Sequence, residues 1–203
     1  FDLSTATFND INGDGTGFDV SGKESNPQGI AFNNDGTKMF VVGVIGDDVN
    51  EYTLSTGFDV STASFVDSFS VAGQETLPLG LAFNTDGTKM FVLGSAGDDV
   101  NEYTLSTGFD VSTASFVDSF SVSGQDAAPY GLAFNSDGTK MFVLGSVGDD
   151  VNEYTLTSAF RLANDTGSVG SSLTGAYGTL TMSSNGSYTY AANSSIVGLD
   201  AGE

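Results

Sequence analysis

Carboxylates carry most of the chemistry this chain could perform. Three pairs, Asp47-Asp48, Asp98-Asp99 and Asp149-Asp150, each stand in a "GDD" triplet and recur at one fixed offset. Adjacent carboxylates raise each other's proton affinity unless a shared cation offsets the repulsion. The pairs therefore read in two ways: as an acidic ring that captures calcium or a cationic ligand, or as solvated turns whose aspartates cap backbone amides. A further stretch, "NDINGDGTG", sets Asp10, Asn12 and Asp14 before Gly15 in the D-x-N-x-D-G spacing that gathers oxygens around Ca²⁺. Position twelve of such a loop is Ser21 rather than a bidentate Glu, so a polar turn that bonds its own backbone is the other reading. These side chains are the candidate metal ligands, and Ca²⁺ is the one candidate cofactor.

Other chemistries are removed by composition. The 203 residues include no His and no Cys, which excludes imidazole bases, thiol nucleophiles, disulfides and the common zinc ligands together. Five basic residues against 26 acidic ones leave a net charge of −21, which repels nucleic acid and anionic membranes alike and suits a chain living in salt. No apolar run approaches the length of a membrane span. A glycosidase could use paired carboxylates, but only in two different environments, and near-identical repeats offer the same one three times. No catalytic residue is expected on these grounds.

The elements that hold the acids are written as repeats. "NEYTLSTGFDVSTASFVDSFSV" occurs identically from Asn50 and from Asn101, and Phe32, Phe83 and Phe134 share the same offset. Within one unit, "LGLAFN" and "KMFVLG" flank the turn "TDGT" and predict a tight hairpin. "VNEYTLS" and "ASFVDSFSV" alternate apolar and polar residues as half-buried strands do. Four short antiparallel strands repeated about every 40 to 50 residues is the pattern of a β-propeller blade. Asp35, Asp86 and Asp137 belong to the hairpin turns, and the repeated aromatics, among them Phe40, Phe91 and Phe142, read as blade core. The GDD pairs then fall in equivalent loops between the second and third strands.

The hairpin "GLAFNTDGTKMFVLG" followed by "DDVNEYTLS" resembles the blade of YVTN, NHL and lactonase-like β-propellers. The wording "YTLSTGFDVSTASFVDSFSV" resembles tandem repeats of surface and tail-fibre proteins of marine bacteria and phages. After Leu156 the period stops, and "FRLANDTGSVGSSLTG" reads as a Gly/Ser-rich linker. The tail "AYGTLTMSSNGSYTYAANSSIVGLDAGE" reads as a hairpin around Asn185-Gly186. It resembles the middle of a VCBS or bacterial cadherin-like repeat, through Gly175, Tyr177 to Thr181, Gly186 to Tyr190, Leu199, Gly202 and Glu203. That resemblance implies secreted, multi-domain bacterial adhesins.

The expected fold is all-β. Residues 1–156 form three propeller-type repeats of four-stranded blades, 157–174 a linker, and 175–203 a partial immunoglobulin-like segment. The opening "FDLSTATF" through "GFDVSG" is an unmatched fourth-strand segment, and the third unit lacks its own. Three units become whole blades only if the first segment completes the last, or if closure occurs between chains. The expected function is a non-enzymatic structural or adhesive protein, extracellular or at a bacterial or phage surface, self-associating into an oligomer or polymer with calcium. A module binding a glycan or cell-surface receptor, and a calcium-dependent hydrolase, are the alternatives.

Overall fold

In the computed structural model, residues 3–162, 172–175, 178–182 and 188–192 are described. The chain divides into two compact units, 1–163 and 164–203. Among the described residues, every regular element except three short 3-10 turns is a β-strand. No helix among the described residues is long and apolar enough to cross a membrane.

The first unit is built of blades. Strands β1 (Pro27–Phe32), β2 (Lys38–Gly43), β3 (Asp48–Leu54) and β4 (Ala63–Ser70) form one antiparallel sheet in that order. A second sheet repeats it with β5 (Pro78–Phe83), β6 (Lys89–Gly94), β7 (Asp99–Leu105) and β8 (Ala114–Ser121). The third has β9 (Pro129–Phe134), β10 (Lys140–Gly145) and β11 (Val151–Thr155) and, among the described residues, no fourth strand. The opening segment does not supply it. Residues 3–5 form a 3-10 turn, as Val60–Thr62 and Val111–Thr113 do, and no strand follows before Pro27. Phe18 and Val20 of this segment instead pack on the outer face of blade 1, with Phe18 edge-on to Tyr52 of β3.

Hairpin chemistry fixes the blades. At the first turn of the second blade, the Asp86 carboxylate accepts the Thr88 N–H at 3.0 Å and the Asn84 side-chain oxygen accepts the Lys89 N–H at 2.9 Å. Gly87 sits at φ +70°, and a Cβ there would lie 2.2 Å from the Phe109 ring. Only glycine meets both demands.

In blade 2 the apolar run of the second strand is buried on both faces because a blade stands on either side; in blade 1 Phe18 and Val20 of the opening segment cover the outer face. Phe40 and Val42 pack with Met90, Val92, Tyr103 and Val111 between blades 1 and 2. Phe91 and Leu93 pack with Met141, Val143 and Leu162 between blades 2 and 3. Residues 157–162, read from sequence as linker, thus contribute Phe160 and Leu162 to the blade core. The signal was present: Phe160 stands at the repeat offset from Phe109 and Phe58.

In the second unit, β12 (Ser172–Gly175), β13 (Gly178–Met182) and β14 (Tyr188–Ala192) form a three-stranded antiparallel sheet. The pairing Met182↔Tyr188 makes β13 and β14 the two arms of the hairpin expected around Asn185-Gly186. That turn itself lies outside the described residues, as do Leu199, Gly202 and Glu203. Strand β12 occupies the end of the segment read as linker.

Candidate functional site

Each blade presents one acidic end, where the loop between its second and third strands meets the segment entering its first. A buried acid in the entering segment organises that end. Glu24 accepts the Asn26 N–H at 2.6 Å through one oxygen, and the N–H groups of Ile45 and Gly46 at 3.3 and 3.2 Å through the other. Glu75 accepts the Leu77 and Ala96 N–H groups through one oxygen and that of Gly97 through the other, and Asp126 serves Ala128 through one and Val147 and Gly148 through the other. All three acids are at most 1% exposed. The space is made by the last residue of the second strand, where a Cβ on Gly94 would lie 2.0 Å from the Glu75 carboxyl carbon. Sequence reading passed over these acids, although they recur at the same offset as the GDD pairs they hold.

The stapled loops carry the predicted aspartates in matching geometry. The first of each pair takes a left-handed backbone, with φ of 49°, 47° and 53° at Asp47, Asp98 and Asp149. The second accepts from the asparagine two residues on: Asp48 from Asn50 at 2.6 Å, Asp99 from Asn101 at 2.7 Å, Asp150 from Asn152 at 2.8 Å. One oxygen each of Asp47 and Asp98 is buried with no hydrogen-bond partner.

Electrostatics then separates the copies. Burial pushes the Asp48 carboxyl up from its ordinary value, with the Glu24 and Asp47 charges adding to it. Asp99 is raised for the same reasons, with Glu75 and Asp98 beside it. At the stapling position of the third blade, Asp126 is held down chiefly by the Gly148 N–H. Asp149 and Asp150 are exposed where their counterparts are half-buried. The environments expected to be three times the same are therefore not the same.

Asp10, Asn12 and Asp14 are not brought to this end. Their loop leans on Phe58–Val60 at the turn leaving the third strand, where the Asp10 carboxylate accepts the Asp14 and Gly15 N–H groups at 3.1 and 3.0 Å. The Asn12 amide donates to the Gly17 carbonyl at 2.8 Å, and Asp14 accepts the Thr16 N–H at 2.9 Å. Among the described residues no group of three or more His, Cys, Asp or Glu side chains is arranged to hold a metal ion. The acidic end offers proton transfer by carboxylates, and any cation there would meet paired rather than caged ligands.

No protein-family model matches the chain, and no curated protein does. Solved structures do. A candidate 6-phosphogluconolactonase from Bacteroides fragilis is similar at TM-score 0.51 and 14% identity, over 64% of this chain and 34% of that one. One from Bacteroides uniformis is similar at TM-score 0.51 and 11% identity, over 79% and 48%. A periplasmic gluconolactonase from Pseudomonas aeruginosa is similar at TM-score 0.49 and 17% identity, over 82% and 42%. This chain thus spans less than half the length of each.

The chain is an all-β protein of β-propeller blades, and that fold is what these likenesses establish. They also correct two expectations. The repeats were read as a non-enzymatic structural or adhesive array that assembles through its blade edges. The same blades occur in proteins named as lactonases, so neither a structural role nor the absence of catalysis follows from repetition. The error lay in taking near-identical sequence for identical environment. The third blade differs in burial from the first two, and burial sets carboxylate chemistry.

Proposed function

We propose that this chain forms part of a lactone-hydrolysing β-propeller whose acidic end is the catalytic face. One observation carries it: on a rigidly stapled loop, a carboxylate raised by burial (Asp99, and Asp48 in the first blade) stands next to one with a buried, unpartnered oxygen. Neighbouring carboxylates whose environments differ are how one site holds both a base and a charge stabiliser near neutral pH. The raised carboxylate would take a proton from water as that water attacks the ring carbonyl carbon. The ring C–O bond then breaks, and the same proton passes to the departing alkoxide, leaving a hydroxy acid. General base catalysis of this kind contributes about 10²–10⁴-fold.

Calcium enters this proposal only as a counter-ion of the acidic end, with no step routed through it. A location outside the cytoplasm and the finer likenesses, of the blades to the YVTN and NHL type and of the tail to a VCBS repeat, belong to the same proposal. The test is titration of acid released from a gluconolactone by the full chain, corrected for spontaneous opening. Catalysis that drops about 100-fold in the Asp48→Asn, Asp99→Asn double variant is expected. Release at the spontaneous rate, or a double variant as fast as the parent, refutes it.

A further inference from the structure

Each blade carries a lysine–glutamate pair that latches the next blade. Lys38 Nζ donates to Glu51 Oε1 at 2.7 Å and to the Phe109 carbonyl at 2.6 Å, while Glu51 Oε2 accepts the Val111 N–H at 3.0 Å. The second latch repeats the first: Lys89 donates to Glu102 at 2.6 Å and to the Phe160 carbonyl at 2.6 Å, and Glu102 accepts the Leu162 N–H at 2.8 Å. The third pair, Lys140 with Glu153, is formed, but among the described residues no backbone enters it. Glu51 and Glu102 are 2% and 1% exposed, and Glu153 is 50% exposed.

The opposite face of the blade stack holds the matching segment. Phe58, Phe109 and Phe160 all adopt positive φ, at 62°, 58° and 52°, a conformation a bulky residue keeps only where its surroundings enforce it. In the last two, the carbonyl so presented is the one a latch lysine binds. Phe58 takes the same conformation with no latch on it, and is 61% exposed.

Aromatic packing repeats the mismatch. Phe40 meets Phe83 at 4.5 Å and Phe109 at 6.2 Å, and Phe91 meets Phe134 at 4.5 Å and Phe160 at 6.4 Å. Phe32 and Phe58 form the same two-ring unit at 5.5 Å, with no third ring against it among the described contacts. Phe142 is the third ring of blade 3, and no pair faces it there among the described residues. One end of the stack is a socket and the other is its plug, in residue type, backbone conformation and polarity.

We propose that blade 3 of one copy docks on blade 1 of a second copy through this same latch. Lys140 and Glu153 receive the Phe58 carbonyl and the Val60 N–H of the second copy, and two copies close head to tail into a ring of six blades. The contact is face to face between blades, and Phe18 and Val20, which already cover part of the outer face of blade 1, lie in its seam. It continues an interface the chain already makes twice, which is why a second copy is the fitting occupant. Six blades lie within the range propellers adopt, and two head-to-tail contacts related by one rotation form a closed particle. Nothing in it depends on the chemistry proposed for the acidic end.

The test is light scattering on the full chain across protein concentration, in about 0.5 M salt because two chains of charge −21 repel one another. The expected particle has twice the 20.8 kDa of one chain. Phe58→Asp and Glu153→Lys both change exposed positions, so each should keep the parent's circular dichroism while weakening the dimer about 100-fold, as loss of a central contact does. A particle that stays at 20.8 kDa at every concentration overturns the proposal. So does a dimer that survives both changes, or an open series of larger oligomers.

Discussion

Strands β6 and β10 are the same six residues, "KMFVLG", in two blades. In β6 every residue after the lysine is buried, whereas in β10 burial alternates along the strand. The difference is the neighbour: blade 2 is covered on both faces, and blade 3 on one among the described residues. Identical sequence therefore does different physical work in the two places. In blade 2 it is core, and in blade 3 it is half core and half surface.

Truncating the shared phenylalanine should break this comparison most visibly. Phe91 is fully buried against Phe134 and Phe160, so Phe91→Ala should cost about 4 kcal/mol in urea unfolding. Phe142→Ala, measured in the monomeric chain, should cost about 1–2 kcal/mol because half its surroundings are already water. Equal losses would mean that the third blade is covered in solution by something the chain itself supplies.

The latch gives the next largest contrast. Glu102→Ala strands Lys89 and the Leu162 N–H in a mostly buried site, with an expected loss of about 3 kcal/mol. Glu153→Ala removes an exposed pair, which is worth less than about 1 kcal/mol. Chemical denaturation of both variants below the dimer's concentration range checks the ratio. A Glu153 variant as damaged as the Glu102 one would contradict the open third latch.

How much of this was legible beforehand follows the same division. The four-stranded unit, its "DGT" turns and its tail hairpin could be read because they rest on local rules: alternation over a strand, and Gly or Asp where a turn needs them. The first aspartate of each GDD pair was legible as a loop residue for the same reason, while Asp48 and Asp99 open the third strands. What escaped reading was contact between units. Glu24, Glu75 and Asp126 look like ordinary surface acids until the loops they staple come within 3.3 Å of them. Lys38 and Glu51 look like a cross-strand pair, and only the neighbouring blade reveals the Phe109 carbonyl between them. The repeat offset marks every one of these positions, but offset alone does not distinguish a position kept for the blade from one kept for its neighbour.

Acidity sharpens the contrast between blades at a smaller scale. Asp99 is raised above its ordinary 3.8 when folded, so the folded state holds that proton more firmly than the unfolded chain does. Stability is then lost as pH climbs from 3.8 through the raised value. Asp99→Asn should be more stable than the parent at pH 7, with the gain vanishing below pH 3.8. Asp126 in the third blade is lowered, so its stabilisation is present above 3.8 and lost as pH falls through the lowered value. Asp126→Asn should be the less stable chain at pH 7, with the deficit closing in acid. Parallel pH profiles for the two variants would remove the electrostatic difference between the GDD position and the stapling position.

The smallest effect isolates the unpartnered oxygen. Asp98 and Asp149 share a left-handed backbone near φ +50°, so glycine relieves the same strain in both. Only Asp98 also buries a carboxylate oxygen with no partner, and removing it should stabilise Asp98→Gly over Asp149→Gly by about 0.5 kcal/mol. Millimolar calcium provides the sharper form of that measurement. If a cation serves this end, binding to the folded chain stabilises the parent by mass action, and Asp98→Gly should then become the less stable of the two. A difference indifferent to calcium would leave the buried oxygen as a plain cost of the loop and would remove calcium from the acidic end.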